Sequence, residues 1–347
     1  MSNRTVLVAK ADLLAFTRAV FEAAGVTPDM AQTWADVLVW ANLRGVDSHG
    51  IIRVPRYLDL IRSKAINVRP DLRIEKRAGA IAVLEADRAP GPVAMRRAMD
   101  EAIARAREVH VGWCAARNIG HAGAIGYYAL QAAEAGMAGL VMAASGPMMA
   151  FNGSRVAGVS TNPIAIAVPA KNRRPYLLDM STSTVSNGKI LAARDRKAQV
   201  PVGWGIDAEG RDTTDPARIA TLLPLGGAKG AGLSFMIECL ASLAIANPRI
   251  TPGLTGDGVE SPFLNGLAIA VDLAAFGDLD RFTEDADALG DALAALPTAD
   301  GVERVLLPGE RGDTVLRERE AHGIPIPQGT WARMVKAADS VGVAVPT

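Results

Sequence analysis

Helical and strand periodicities follow one another along this chain without settling into regular strand–helix–strand alternation. That irregular order constrains the fold more than any single motif. Apolar residues at 13, 14, 16, 20 and 21 predict an amphipathic helix over 11–24, closed by Gly25. Thr27, Pro28 and Asp29 open a second helix to about Leu43, with Thr as N-cap, Pro in the first turn, and Trp34 and Trp40 placed to pack helix on helix. A third helix is predicted over 54–64. Two short strands, LRIEK and AIAVLEAD, flank Gly79, and an Ala- and Arg-rich helix runs from Pro92 to about Val109. Strands over 111–116, 140–144, 164–169, 177–180 and 267–273 then intermix with helices over 123–136, about 231–246 and 281–296. A strand over 305–307 and helices over about 314–321 and 330–341 complete the chain. The stretch 192–215 reads as a polar surface excursion, and 251–266 as a Gly- and Pro-rich loop. The order predicts a mixed α/β fold.

Composition excludes several function classes. The 347 residues suggest roughly two domains, and 49% apolar with 21% charged residues points to a large core rather than disorder. Lys plus Arg equals Asp plus Glu at 37 each, so nothing argues for nucleic acid or an acidic membrane face. Cys114 and Cys239 stand far apart without metal-ligand spacing, and read as buried free thiols in a reducing cytosol. The N-terminus lacks a signal-peptide core, and no run reaches the ~20 apolar residues of a membrane span. The expectation is a cytoplasmic protein with no membrane partner.

Chemistry concentrates in two stretches. In RNIGHAGAIGYY, His121 lies between Gly120 and Gly123, where the backbone can take positive φ and approach a ligand, at a predicted strand-to-helix corner. Imidazole is suited to move a proton near neutral pH. Taken alone, it is equally a satisfied structural histidine. In LRGVDSHGIIRVPR, Gly45 and Gly50 bracket Asp47, Ser48 and His49, and three arginines crowd the segment. Arg44 and Arg53 are candidates to grip a carboxylate through a guanidinium fork. A helix-to-helix turn with a surface salt bridge is the blander reading. Elsewhere, Ser145 and the Ser181–Thr182–Ser183 strand end offer hydroxyls and amides, and LPLGGAKGAG opens a helix with one lysine, Lys229. That loop lacks the Walker spacing, and no GxGxxG follows a strand, so a dinucleotide would not bind in the ordinary Rossmann manner.

Seven segments occur in order: LRGVDSHGIIRVPRY, GHAGAIGYYA, STNPIAIAVP, LDMSTSTVSNGKI, GWGIDAEGRDTTDP, LPLGGAKGAGLSFMIECLAS and LPGER. Together they resemble the type-2 malate/L-lactate dehydrogenase family, which includes ureidoglycolate and sulfolactate dehydrogenases, diketogulonate reductase and cyclic-imine carboxylate reductases. The resemblance covers about residues 10–335. It implies a mixed-sheet, non-Rossmann NAD(P) oxidoreductase fold with helical N- and C-terminal segments, a homodimer, and a site near the subunit interface. The division expected is a helical, dimerising and substrate-side part over 1–115 and 275–347, with a cofactor-binding part over 116–274. Residue by residue, His121 resembles the acid/base, and Ser48, His49 and Arg53 the substrate-side cluster. Ser145, Asp179, Met180, Ser181, Lys229 and the turn of Pro308, Gly309 and Glu310 resemble contacts to NAD or NADP. Two departures bear on the substrate pocket: Arg117–Asn118 and Ala122 around His121, and GPMMAFNGSR after Ser145.

The activity expected is hydride transfer between nicotinamide and C2 of a small 2-oxo or 2-hydroxy carboxylic acid, with a piperideine- or pyrroline-2-carboxylate as the alternative substrate. Arg53 would hold the carboxylate, His121 would protonate the alkoxide, and His49 and Ser48 would bond the substrate or orient His121. A metal-dependent hydrolase finds no HxH, HExxH or paired-acid spacing to support it. A catalytically dead binding protein fits poorly with an intact polar cluster.

Overall fold

Gly and Ala let a helix lie directly on the strand Val111–Ile119. In the computed structural model, which describes residues 5–256 and 263–345, this strand belongs to a seven-stranded sheet. The strand order is Arg73–Ala78, Ile81–Glu85, Val111–Ile119, Leu264–Asp272, Met137–Ala144, Ile164–Val168 and Tyr176–Met180. Only Ile81–Glu85 and Val111–Ile119 run parallel, joined by the crossover helix Gly91–Val109; every other neighbour in this sheet is antiparallel. One parallel pair is no doubly wound sheet, so the fold is mixed and non-Rossmann. The boundary expected at 115/116 falls inside Val111–Ile119.

Helices Gly91–Val109 and Gly126–Glu134 cover one face over a core rich in small side chains, among them Ala98, Ala102, Ala116, Ala132, Ala143 and Ala268. Small residues bring helix and sheet backbones close: a Cβ on Gly112 would lie 1.7 Å from the Ala102 carbonyl oxygen. Helix Ala228–Ala241 covers part of the other face through Ile237 and Ala241, against Ala115, Met142, Leu267 and Ile269. With the turn after it, Ala228–Ile245 reaches a mean hydropathy of 1.4 over 18 residues, long and apolar enough by composition to cross a membrane. The sequence reading found no such run; here it is 44% buried and seated on the sheet.

The chain's two ends build one helical cluster. Helices Lys10–Ala23, Pro28–Leu43, Val54–Arg62 and Gln328–Asp339 share a core of Leu13, Phe21, Trp34, Tyr57 and Met334. Antiparallel strands Thr5–Val8 and Ile324–Pro327 join the ends. Each is four residues long, and pairing rather than periodicity makes it a strand. A small sheet of Gly205–Ile206, Thr221–Leu222, Met149–Ala150 and Ala157–Val159 packs over Val185 and Ile190.

Four expectations change. The helix after His121 starts at Gly126, not 123, because Gly123 has φ +73° and cannot enter a right-handed helix. The excursion over 192–215 contains the end of a helix, Asn187–Arg196, whose Ile190 and Ala193 are buried. No strand forms over 305–307; the Leu307 N–H donates to Glu310 Oε2 at 3.0 Å and so serves the next helix, Glu310–His322. Within 251–266, Thr251–Thr255 is a short helix and Leu264 already begins the strand, while 257–262 lie outside the described residues. Cys114 is buried, which pushes its thiol up to about 12, and Cys239 is half-buried.

Gly112→Ala should destabilise the fold by at least ~1–3 kcal/mol, because the new methyl group meets backbone that cannot rotate away. Chemical denaturation of both proteins measures it.

Candidate active site

Helix Pro28–Leu43 ends at Gly45, and two short 3-10 turns follow, Asp47–His49 and Ile51–Arg53. Their polarity is matched by partners from three sides. Asn42 Nδ2 donates to Asp47 Oδ1 at 2.7 Å, and Asn42 Oδ1 accepts the Ile51 N–H at 2.9 Å. Arg319 grips Asp47 through both carboxylate oxygens, at 2.7 and 3.2 Å. The loop is therefore clamped by a residue 272 positions away. Helix Asn187–Arg196 closes on it as well, since a Cβ on Gly188 would lie 2.5 Å from Ser48 Cβ. Neither Arg319 nor Gly188 carries a local sequence signal for this role.

Arg44 is not available to a substrate. It is 7% exposed, paired with Asp313, and donates to the Gly309 carbonyl at 2.9 Å. The expectation that it grips a carboxylate is corrected: its guanidinium fastens the serine–histidine loop to the Gly309 turn. Arg53 differs. Its Nε donates to the Ser48 carbonyl at 2.7 Å, and its two Nη groups make no hydrogen bond or ion pair among the described residues.

His121 arrives from the other layer, beyond the end of Val111–Ile119. Tyr128 holds that segment by donating to the Ala122 carbonyl at 2.5 Å. The left-handed Gly123 aims its N–H at His121 Nδ1, 3.3 Å away, and the Tyr57 hydroxyl reaches the same nitrogen at 2.8 Å. His49 stacks on His121 with ring centroids 5.5 Å apart and planes 20° apart, while its own Nδ1 lies 2.9 Å from Ser48 Oγ. Ser48, His49, Arg53 and His121 thus form one cluster. Tyr57, which sequence reasoning passed over, completes it.

Burial, followed by the positive charge of Arg53, lowers His49 to about 4. Burial, then His49, then Arg53, hold His121 well below the ordinary imidazole value. Both rings are neutral at pH 7.

Asp179 accepts the Gly126 N–H at 3.0 Å, five residues past His121, and so receives the first turn of helix Gly126–Glu134. Surrounding protein pushes its carboxyl up to about 6 against that hydrogen bond and the charge of Arg44, while the side chain stays open to a cleft. Asp179, Gly309, Trp40, Leu177 and Leu307 line this cleft of about 230 Å³. Glu310 is committed to Arg304 and the Leu307 N–H, and exposed Pro308 lies between Leu307 and Gly309 in the turn at the cleft.

Met180 ends its strand opposite Ile164. Ser181 bonds Ser183 Oγ at 3.0 Å, and Ser183 bridges to Pro224 of the glycine-rich loop. Lys229 is exposed at the end of that loop, and its ammonium makes no hydrogen bond or ion pair among the described residues. Ser145 Oγ lies 2.5 Å from Ser160 Oγ, and its N–H donates to Asn162.

A nicotinamide dinucleotide needs apolar walls for a ring, hydroxyls and amides for ribose, and a cation for the pyrophosphate. Leu177 and Trp40, the serine turns, and Lys229 in the first turn of helix Ala228–Ala241 fit those needs. No three His, Cys, Asp or Glu among the described residues group so as to hold a metal.

The model of the malate/L-lactate dehydrogenase family matches residues 8–335. A malate dehydrogenase of Pyrococcus horikoshii is 35% identical, covering 97% of this chain and 96% of its own. A ureidoglycolate dehydrogenase (NAD(+)) of Escherichia coli O157:H7 is 33% identical, covering 91% of each. The solved structure of a Δ1-piperideine-2-carboxylate reductase from Pseudomonas syringae superposes with a TM-score of 0.85 at 28% identity, covering 96% of this chain and 100% of that one.

The depressed His49 has a consequence for stability. Below the ordinary value of 6.5 the unfolded chain protonates this imidazole while the folded chain does not, so stability is lost as pH falls toward about 4. His49→Gln should lose less of its Tm than the wild type over that window.

Proposed function

This chain is an enzyme of the malate/L-lactate dehydrogenase family, an oxidoreductase for small hydroxy acids, and on that premise we propose that it interconverts a 2-oxo and a 2-hydroxy carboxylic acid at C2. One observation carries the reading: the guanidinium fork of Arg53 is free of any acidic partner among the described residues and lies beside two stacked, neutral imidazoles. A part-buried fork without an acid is suited to bidentate capture of a carboxylate.

Asp179, Met180, Ser181, Ser145, Lys229 and the turn of Pro308, Gly309 and Glu310 would hold NAD or NADP. The NAD(+) in the name of the ureidoglycolate relative favours NAD. When bound, the nicotinamide supplies or accepts the hydride at C2. The chain's own residues manage charge and protons. Arg53 orients the carboxylate and thereby loses part of the positive field that lowers His49 and His121. Both rings then gain proton affinity, and His121, once it has taken up a proton to become the imidazolium, can pass its Nε2 proton to the forming alkoxide and remain a neutral ring. Ser48 and His49 cover the substrate from the opposite layer.

The neutrality of both imidazoles favours a second substrate class. A cyclic imine carboxylate enters as an iminium, already protonated at nitrogen, and asks no proton of His121. The reductase that superposes on this chain acts on such a compound by its name.

We also read the protein as a homodimer. Helix Ala228–Ala241 turns Phe235 and Met236 outward, 50% and 53% exposed, while its Leu233 and Leu240 pack on the sheet cluster that also holds Trp113, Leu140 and Ile164. Exposed apolar side chains on such a helix suit a second copy of the chain.

A panel of 2-oxo acids and cyclic imines with NADH and NADPH tests the reading, and turnover of neither class with either cofactor overturns it. On an accepted 2-oxo acid, His121→Ala should lower kcat/KM by about 10²–10⁴. Arg53→Met should raise KM roughly ten- to a hundredfold, as loss of a charge-assisted hydrogen bond does. Joint replacement of Phe235 and Met236 by Asp should yield monomers in light scattering.

A further inference from the structure

The fork of Arg53 is open although acids lie close to it in the chain. Asp47 and Asp59 each stand six positions away. Asp59 is paired with Arg62 of its own helix at 2.6 Å. Asp47 is the more telling case. It precedes Ser48, whose carbonyl already holds Arg53 Nε at 2.7 Å. A carboxylate beside that peptide, on a side chain 46% exposed, is an internal competitor for any anion that Arg53 could bind.

Two residues occupy Asp47, and they differ in what they supply. Asn42 Nδ2 donates to Asp47 Oδ1 at 2.7 Å, while Asn42 Oδ1 accepts the Ile51 N–H at 2.9 Å. Asn42 is 2% exposed, and a Cβ on Gly50 would lie 2.1 Å from its Oδ1. This one amide therefore holds the turn on both sides of Ser48 and His49. It is neutral and cannot balance a charge. Arg319, on helix Glu310–His322, donates to both carboxylate oxygens of Asp47, at 2.7 and 3.2 Å. The turn has hydrogen bonds from Asn42 without it. What Arg319 adds is an opposite charge, from a side chain only 15% exposed.

We propose that Arg319 is a positioning residue of the substrate site: by pairing with Asp47 it keeps that carboxylate off Arg53, so that the fork stays open for the carboxylate of the substrate. The role rests on the reading of Arg53 as the carboxylate grip. Without Arg319, Asp47 binds Arg53 in competition with the substrate. Such competition raises KM and leaves kcat alone, because saturating substrate displaces the internal acid.

The test pairs kinetics with chemical labelling on the full chain. Arg319→Met should raise KM for an accepted 2-oxo acid roughly tenfold, as a tethered competitor at millimolar effective concentration does, with kcat within about twofold. Adding Asp47→Asn to that variant removes the competing charge and keeps an oxygen for Asn42, so KM should return to within about threefold of the wild type. Phenylglyoxal, which modifies accessible, unpaired guanidinium groups, reads the fork without turnover. Peptide mass mapping after labelling of the folded proteins should find Arg53 modified in the wild type, protected in Arg319→Met, and modified again in the double variant. Should Arg319→Met not fold, Arg319→Gln, which keeps hydrogen-bond donors and loses the charge, carries the same expectations. An unmoved KM in the single variant overturns the proposal. So does a double variant whose KM stays raised, or an Arg53 labelled equally in all three proteins. Absence of turnover by the wild type on every 2-oxo acid and cyclic imine instead removes the functional reading, and the labelling pattern alone then decides whether Arg319 keeps Asp47 from Arg53.

Discussion

The site depends on how closely one helix lies on one strand. Helix Gly91–Val109 rests on Val111–Ile119 with Ala and Gly at the contact, and Gly112 has no room for a Cβ beneath Ala102. The same helix start fixes the corner that carries His121, through the Gly120 N–H donating to the Ala89 carbonyl at 2.9 Å. Val37 of helix Pro28–Leu43 packs into that core and meets Gly123. Any loosening of this contact would carry His121 away from Tyr57 and His49, which belong to the helical layer. Interiors packed at crystal-like density transmit such shifts rather than absorb them.

A second constraint is electrostatic. Arg44 and Arg53 stand nine positions apart in one loop region and do opposite things. Arg44 is buried against Asp313 and a carbonyl, which satisfies its charge and makes it a fastener. Arg53 is left with an open fork, and its positive field adds to burial, the larger cause, in holding two imidazoles in their neutral form. On the function proposed above, a carboxylate bound at Arg53 would relieve part of that field beside His121. Asp179 stands apart from this: its carboxyl is raised by the surrounding protein and held by the N-terminal turn of Gly126–Glu134, in the cleft that Gly309 also lines.

Amphipathic helices were legible because burial on one face imposes a 3.6-residue period that local sequence must carry. The helices Lys10–Ala23, Pro28–Leu43 and Gly91–Val109 follow that period, within a residue or two at each end. Thr5–Val8 and Ile324–Pro327 were not legible, because a four-residue strand is defined by its partner and that partner lies over three hundred residues away. Asn187–Arg196 was missed because its face toward the small sheet is only Ile190 and Ala193, too sparse a pattern in a polar stretch.

By itself the sequence determined the local chemistry: a histidine at a glycine-flanked corner, a Ser–His–Arg loop, a glycine-rich helix start, and a collinear set of segments that marks the family. These are properties of short stretches and survive without coordinates. Tertiary structure decided which polar groups remain free. It spent Arg44 on Asp313, left the fork of Arg53 open, placed Tyr57 on His121 Nδ1, and clamped Asp47 with Arg319. Such pairings join residues tens to hundreds of positions apart, and whether a side chain is satisfied or available depends on what folds against it.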